Sequence, residues 1–591
     1  MDAQRIIKKE LVLKGVPASP GIAIGAAHLF MKETPRIEER SLERQYVEEE
    51  VERLQRSIEK SEKELNKILT FAQQKVGDAK ARILEAQIMV LQDHFLIDSV
   101  KKRIRTELKN AEYIVSDEIN KYANLMLAAH DEYMHERAHD MEDLKNRVVR
   151  NLQQERLVSK VDGSVVVVAH TLTPADTMIL SRNHILAYVT DLGGITSHAA
   201  LFSRSLKIPA VVALGDITRH AAPGDNMIVD GFSGTVVLHP TDERIQEFKK
   251  KQQKFQKFEA KLALLKDLPA TTTDGKNIEL SANIELKEEL EYVVLQGSQG
   301  VGLYRTESLL IGRDDFPSEE EQYEEYKKVA DRIYPHRVIM RTFDIGGDKI
   351  APETAEESNP FLGWRGIRIS LDRPEIFMNQ LRAILRASTR KNIAVMFPMV
   401  SNVGELLKAK EFLKQAKAEL KAKKIKFDDK LLIGVMIEVP AAALNAGVLA
   451  KHVDFLSIGS NDLTQYLLAV DRGNRLVSGL YQQFDPAVLT TLKYVINAGH
   501  KQGIWVGICG EMAGSPLAVP LLLGFGIDEL SVVPAVLPEV KKIIRSLDAA
   551  GAQDLARRAL SFSTPEEVEE CLRSFMKKTC PDIPLENTHD K

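Results

Sequence analysis

Several stretches of this chain combine reactive residue types with neighbours that would hold them still. The sharpest in the first half is Gly193-Gly194-Ile195-Thr196-Ser197-His198-Ala199-Ala200, set between a strand-like and a helix-like segment. The two glycines permit a tight turn and close approach of another molecule. Thr196 or Ser197 can cap the helix that begins there. A helix start offers free N–H groups and a partial positive charge, which suits phosphate. His198 therefore fits a phosphate-accepting nucleophile, and it equally fits a histidine satisfied within its own first turn.

The second half supplies arginines: Arg305 in GLYRTE, Arg341 in RTFDIGGDK, Arg365 in NPFLGWRG and Arg472 in VDRGN. Guanidinium forks pair with carboxylate and phosphate oxygens, so converging arginines imply a small polyanionic substrate. Taken singly, each reads as a surface or ion-paired arginine. Glu438 and Asp462 end adjacent predicted strands. Two carboxylates with open positions suit Mg²⁺, which keeps waters and takes phosphate oxygens; rim carboxylates bound to Arg or Lys fit the same spacing. Cys509, in GICGEMAG, is either a buried inert thiol or a general acid beside a substrate. Gly346-Gly347 with Lys349 can approach an anion. The sequence has no GxxxxGK[ST] loop and no dinucleotide fingerprint after a strand, which argues against nucleotide binding by those devices.

These residues need elements to position them. A length of 591 residues is about four domains' worth, more than one core can serve. Apolar residues at 44 % and charged ones at 28 % exclude disordered and fibrous classes. Eighty basic against 84 acidic residues give a net charge of −4, which argues against a nucleic-acid binder built on phosphate contacts. Cys509, Cys571 and Cys580 cannot make a disulfide framework and point to a reducing, cytoplasmic compartment. No apolar signal segment follows Met1. The longest apolar run, Met512 to Ile527, is broken by Pro516 and Pro520 and too short to span a bilayer, so no membrane insertion is expected.

Four textures succeed one another. Residues 1–34 and 158–240 are β-branched and glycine-punctuated and predict one compact α/β domain. Residues 35–157 hold a single glycine, Gly77, and show apolar spacings of three and four, which predicts an inserted helical hairpin or bundle. Residues 241–267 read as a charged linker helix. From 268 to 591, eight strand candidates alternate with helical stretches: 278–284, 300–307, 338–345, 393–400, 433–439, 455–462, 505–511 and 529–534. That count predicts a (β/α)₈ barrel, whose chemistry gathers at the C-terminal strand ends, where the polar residues collect.

The motifs, in order, resemble the Enzyme I family of the bacterial phosphotransferase system, the phosphoenolpyruvate-protein phosphotransferases. The resemblance runs essentially end to end through GVPASPGIAIG, TLTPADT, GGITSHAALFSRSLKIPAVV, GLYRTE, RTFDIGGDK, NPFLGWRGIR, IEVPAA, SIGSNDLTQY, VDRGN and GICGEMAG. It implies a swivelling α/β domain whose His198 carries the phosphoryl group, with Thr177 hydrogen-bonded to that ring. It places Arg305, Arg341, Arg365 and Arg472 on phosphoenolpyruvate, with Asn461 at the phosphate and Lys349 in the same region. Glu438 and Asp462 match Mg²⁺ ligands, and Cys509 matches the acid that protonates the enolate. The helical insertion matches the docking platform for the phosphocarrier HPr, and family members dimerise through the barrel. The chain opens directly on the GVPASPG segment, which favours the sugar-transporting form. Tyr304, Ser460 and Ser203 depart from the family pattern, and none of them removes a catalytic group.

Overall fold

A glycine-poor stretch whose apolar residues recur every three or four positions can bury them only by packing helix on helix. The computed structural model does this between the third and fourth strands. It describes residues 9–30, 35–76, 78–127, 132–153, 163–181, 183–194, 197–285, 287–310, 315–346, 359–472, 474 and 476–585. Five helices, α1 (Val47–Val76), α2 (Asp78–Leu91), α3 (His94–Glu107), α4 (Ala111–Leu127) and α5 (Glu132–Leu152), share one core that includes Leu54, Leu65, Leu84, Ile104, Ile114 and Leu144.

The segments on either side of this block form one eight-stranded sheet. Its strands are β1 (Leu11–Lys14), β2 (Val16–Ser19), β3 (Ile22–Phe30), β4 (Val165–Ala169), β5 (Ile185–Thr190), β6 (Ala210–Val212), β7 (Asn226–Asp230) and β8 (Thr235–Leu238). They lie in the order β1-β8-β7-β3-β4-β5-β6-β2, and β3 runs parallel to β4 from Ala26 beside Val165 to Phe30 beside Ala169. The helical block is thus an insertion between two hydrogen-bonded neighbours. Interior strands such as β4, VVVVA, are covered on both faces, so they read as apolar runs rather than alternations. Helices α6 (Pro174–Leu180) and α7 (His198–Ser205) fill the layer between sheet and bundle. Leu180 and Ala200 pack with Val167 and Tyr188 of the sheet, whereas Met178 and Phe202 join the bundle core.

The chain divides into two compact units, Met1–Lys257 and Phe258–Lys591, so the division falls inside the expected linker helix, Asp242–Ala263. The second unit is a closed parallel barrel of β9 (Glu279–Ile284), β10 (Gly300–Arg305), β11 (Arg337–Arg341), β12 (Ile393–Phe397), β13 (Leu432–Ile437), β14 (Phe455–Ile458), β15 (Trp505–Ile508) and β16 (Glu529–Val532). All eight expected strands are present. Except for β9, each stops two to four residues short of the expected end, where the chain leaves the ladder for the following loop or helix. Among the described residues no helix is long and apolar enough to cross a membrane.

Candidate active site

In the first unit the site is a helix start. Helix α6 begins with a reciprocal cap: Thr173 Oγ1 accepts from the Asp176 N–H at 3.2 Å, and Asp176 Oδ2 accepts from the Thr173 N–H at 2.9 Å. Pro174 follows at the first helical position, where its missing N–H costs nothing. Thr177, fully buried on this helix, donates its hydroxyl to the Thr173 carbonyl at 3.0 Å. Ahead of α7, Gly193 turns the chain with a φ of +125°, a conformation that L side chains rarely adopt. Ser197 then caps α7 by accepting from the Ala200 N–H at 3.3 Å. His198 is the first residue of α7 by its backbone; its imidazole, like Thr196, lies outside the described atoms. Arg204 ties the far end of α7 to the sheet by donating to the Ala18 carbonyl at 2.7 Å.

One acidic residue near this turn escaped the sequence reading. Asp191 follows β5 directly, two residues before Gly193, accepts from the Thr218 N–H at 3.0 Å, and lies 2.9 Å from His170 Nδ1. Burial works against its charge, but the Thr218 and His170 hydrogen bonds prevail and hold the carboxyl below its usual range. The signal was an acid between the strand-like run and the two glycines, one residue removed from Gly193.

In the second unit the barrel mouth gathers the remaining candidates. Arg305 and Arg341 are the last residues of β10 and β11, Glu438 follows β13 directly, and Cys509 follows β15. Arg341 is buried, with Nη2 3.2 Å from Glu307 Oε2 and Nη1 3.1 Å from Asp344 Oδ2. Arg365 spans two carboxylates, reaching Asp344 Oδ2 at 2.9 Å and Asp462 Oδ2 at 3.2 Å. Its Nη1 donates to the Tyr466 hydroxyl at 3.2 Å. Arg305 pairs with Glu285, and Arg472 lies 3.9 Å from Asp462. Each of the four arginines therefore rests on a carboxylate. Asn461 exchanges hydrogen bonds with Glu511, accepting from its backbone N–H at 2.9 Å. Lys349 and Gly347 lie outside the described residues.

Asp344, Glu438 and Asp462 each offer an oxygen within 4.8 Å of the others'. An all-carboxylate donor set fits a hard divalent cation such as Mg²⁺ rather than a thiophilic metal. The sequence reading paired only Glu438 and Asp462; Asp344 joins them in the structure. Burial opposes ionisation of Asp344, yet Arg341 and Arg365 hold its carboxyl below the usual range. Among the described residues Glu438 has no cation within ion-pair distance, and the Arg341 charge and the Met399 N–H do not outweigh what opposes its ionisation. Burial first, then the Asp344 and Asp462 charges, push it up to about 8. Its Oε1 accepts from the Met399 N–H at 2.6 Å, a donor presented by a residue with a φ of 56°. Gly366, at a φ of +60°, lets the Arg365 segment lie against Met399, where a Cβ would come within 2.9 Å of that side chain.

Cys509 caps the apolar plug inside the barrel, with Leu303, Ile339, Met396 and Met436 below it. Burial pushes its thiol up to about 11, so at neutral pH it holds a proton that it can give away.

Comparison with known proteins is consistent across the chain. The family model described as PEP-utilising enzyme, PEP-binding domain matches residues 259–549. The models for the N-terminal and mobile domains of the same enzymes match residues 14–137 and 161–234. A phosphoenolpyruvate-protein phosphotransferase of Staphylococcus carnosus (strain TM300) is 42 % identical over 569 residues, 96 % of this chain and 99 % of that one. One from Listeria monocytogenes serovar 1/2a is 44 % identical over 567 residues, 95 % of this chain and 99 % of that one. A solution structure of an Enzyme I protein (nEIt) is 41 % identical and covers 41 % of this chain and 99 % of its own, with a TM-score of 0.37.

Proposed function

The chain belongs to the phosphoenolpyruvate-protein phosphotransferase family, and from that premise we propose that it takes the phosphoryl group of phosphoenolpyruvate onto His198 and passes it to HPr. This is the first step of the sugar-transporting phosphotransferase system. The observation that carries the reading is the barrel mouth, where four arginines from separate strands and loops surround three clustered carboxylates.

Phosphoenolpyruvate is a compact polyanion, and Arg305, Arg341, Arg365 and Arg472 bind its carboxylate and phosphate, each exchanging part of an internal ion pair for the ligand. Asn461 meets the phosphate, and Lys349 serves the same region. Glu438 and Asp462 hold Mg²⁺, with Asp344 beside them; the bound cation would neutralise charge on the phosphate. An unprotonated imidazole nitrogen of His198 attacks phosphorus in line, a P–N bond forms, and the P–O bond to the enolate breaks. Thr177 orients that ring, its oxygen free to accept a ring N–H while its own proton stays on Thr173. Cys509 donates a proton to the enolate carbon, giving pyruvate.

His198 and the arginines belong to different compact units. The reading therefore requires the α/β region to visit the barrel mouth in one half-reaction and HPr on the helical insertion in the next, with helix Asp242–Ala263 as the pivot. A crosslink between the units that left both half-reactions intact would count against it. On the same reading the protein works in the cytoplasm as a homodimer through the barrel, whose helices expose Leu444, Val448 and Tyr494.

The test is carrier transfer. Protein labelled by phosphoenolpyruvate should lose its label to added HPr within one mixing time. Label that stays on the protein, or moves instead to a small acceptor, would displace HPr from the account.

A further inference from the structure

Cys509 is surrounded by apolar side chains on the barrel side, and one side-chain hydroxyl interrupts them. Ser457, third residue of β14, is 4 % exposed and donates its hydroxyl to Cys509 Sγ at 3.4 Å. The register explains the meeting: Ser457 pairs with Gly507 of β15, two residues before Cys509. Alternate residues of a strand share a face, so Gly507 and Cys509 both point inward. Gly507 carries no side chain, which leaves the Ser457 hydroxyl free to rise to the sulfur. The thiol's own proton points to the Ile458 carbonyl, 3.6 Å away. Among the described residues these are the sulfur's two hydrogen-bond partners. They differ in kind, since the carbonyl can serve only the thiol, whereas the hydroxyl can also donate to a thiolate.

We propose that Ser457 is a positioning residue for the protonation step, its hydroxyl stabilising the thiolate that Cys509 becomes. This rests on the reading of Cys509 as the enolate's acid. In that step the S–H bond breaks, the enolate's electron pair forms a C–H bond, and the thiolate later regains a proton from water. A hydrogen bond to a charged acceptor outweighs one to a neutral acceptor, so the contact favours the products of proton transfer. Burial opposes the thiolate. Among the charges facing it, Glu438 opposes it, while Arg341 and Arg305 favour it. Ser457 supplies the direct contact that those more distant charges do not.

The experiment compares Ser457→Ala, Cys509→Ala and the parent in single turnover with phosphoenolpyruvate and Mg²⁺. Protein phosphorylation and pyruvate are quantified separately, and phosphoenolpyruvate binding is measured as the check on folding. Iodoacetamide labelling of the Cys509 peptide is followed by mass spectrometry across pH 7 to 9.5. For Ser457→Ala we expect binding and phosphorylation within about twofold of the parent. Pyruvate formation and Cys509 labelling should each fall about tenfold, one pKa unit's worth. Labelling at the parent's rate at every pH would overturn the proposal, as would phosphorylation and pyruvate slowing by the same factor. If Cys509→Ala made pyruvate at the parent's rate, the acid reading itself would fail, while the labelling comparison would still judge the Ser457 contact.

Discussion

The two ends of the barrel use the same kinds of side chain to opposite effect. At the mouth, four arginines arrive from separate segments and each rests on a carboxylate. At the floor, Glu529 is buried beside Glu279, and a single arginine, Arg337, lies 3.6 Å from Glu279. Arg337 also covers the Trp505 ring at 4.4 Å, and Trp505 stacks on Phe455 with ring centroids 4.8 Å apart. The floor is thus closed by stacked aromatic surface, whereas the mouth holds cations that a polyanion can recruit. In a barrel of this kind the first arrangement reads as stability and the second as catalysis.

That contrast can be broken or sharpened by substitution. Arg341→Ala or Arg365→Ala should have the largest effect, lowering kcat/KM for pyruvate formation by about 10³-fold or more while the fold persists, because a desolvated clamp on the reacting anion is lost. Steady-state kinetics beside circular dichroism check this; an active variant would make the mouth merely structural. Cys509→Ala should cost about 10²-fold in pyruvate formation and leave phosphoenolpyruvate binding intact, as isothermal titration would read.

The floor should answer in stability rather than rate. Burial, then the Glu279 charge, push Glu529 up to about 7. An unfolded glutamate titrates near 4.3, so between those values the folded chain keeps a proton that the unfolded chain has lost. Stability therefore falls as pH rises through that window, and the loss is complete above about 7. Glu529→Gln should gain about 2 kcal/mol at pH 8 and progressively less toward pH 5 in denaturant titrations, with turnover unchanged. Smallest of all, Arg337→Met should cost about 1 kcal/mol through the lost ring contact and leave kinetics alone. A floor variant that lost activity at full stability would erase the distinction between the two ends.

Much of this was legible in the sequence because the signals were local. The eight β-then-α repeats, the glycine-poor helical block and the Gly193-Gly194 turn each announced an element, and each element is present. Strand ends were overrun because an apolar pattern does not say where a ladder stops; Ile458 ends β14, although SIGSND reads onward. Asp344 was not grouped with Glu438 and Asp462 because it is distant from them in sequence and meets them only where the barrel closes, with Arg365 reaching both Asp344 and Asp462. Ser457 was invisible for the same reason, since only parallel register puts it under Cys509. Contacts between distant segments are what periodicity cannot encode.

The central claim is that phosphoenolpyruvate alone, with Mg²⁺ and no nucleotide, phosphorylates His198. Purified protein and its His198→Ala variant should be incubated side by side with phosphorus-radiolabelled phosphoenolpyruvate, and both label and pyruvate measured. The account predicts acid-labile, base-stable label on the parent, matched by released pyruvate, and none on the variant, which still binds phosphoenolpyruvate. Label on the variant equal to the parent's, or none on a parent that binds the substrate, would contradict it.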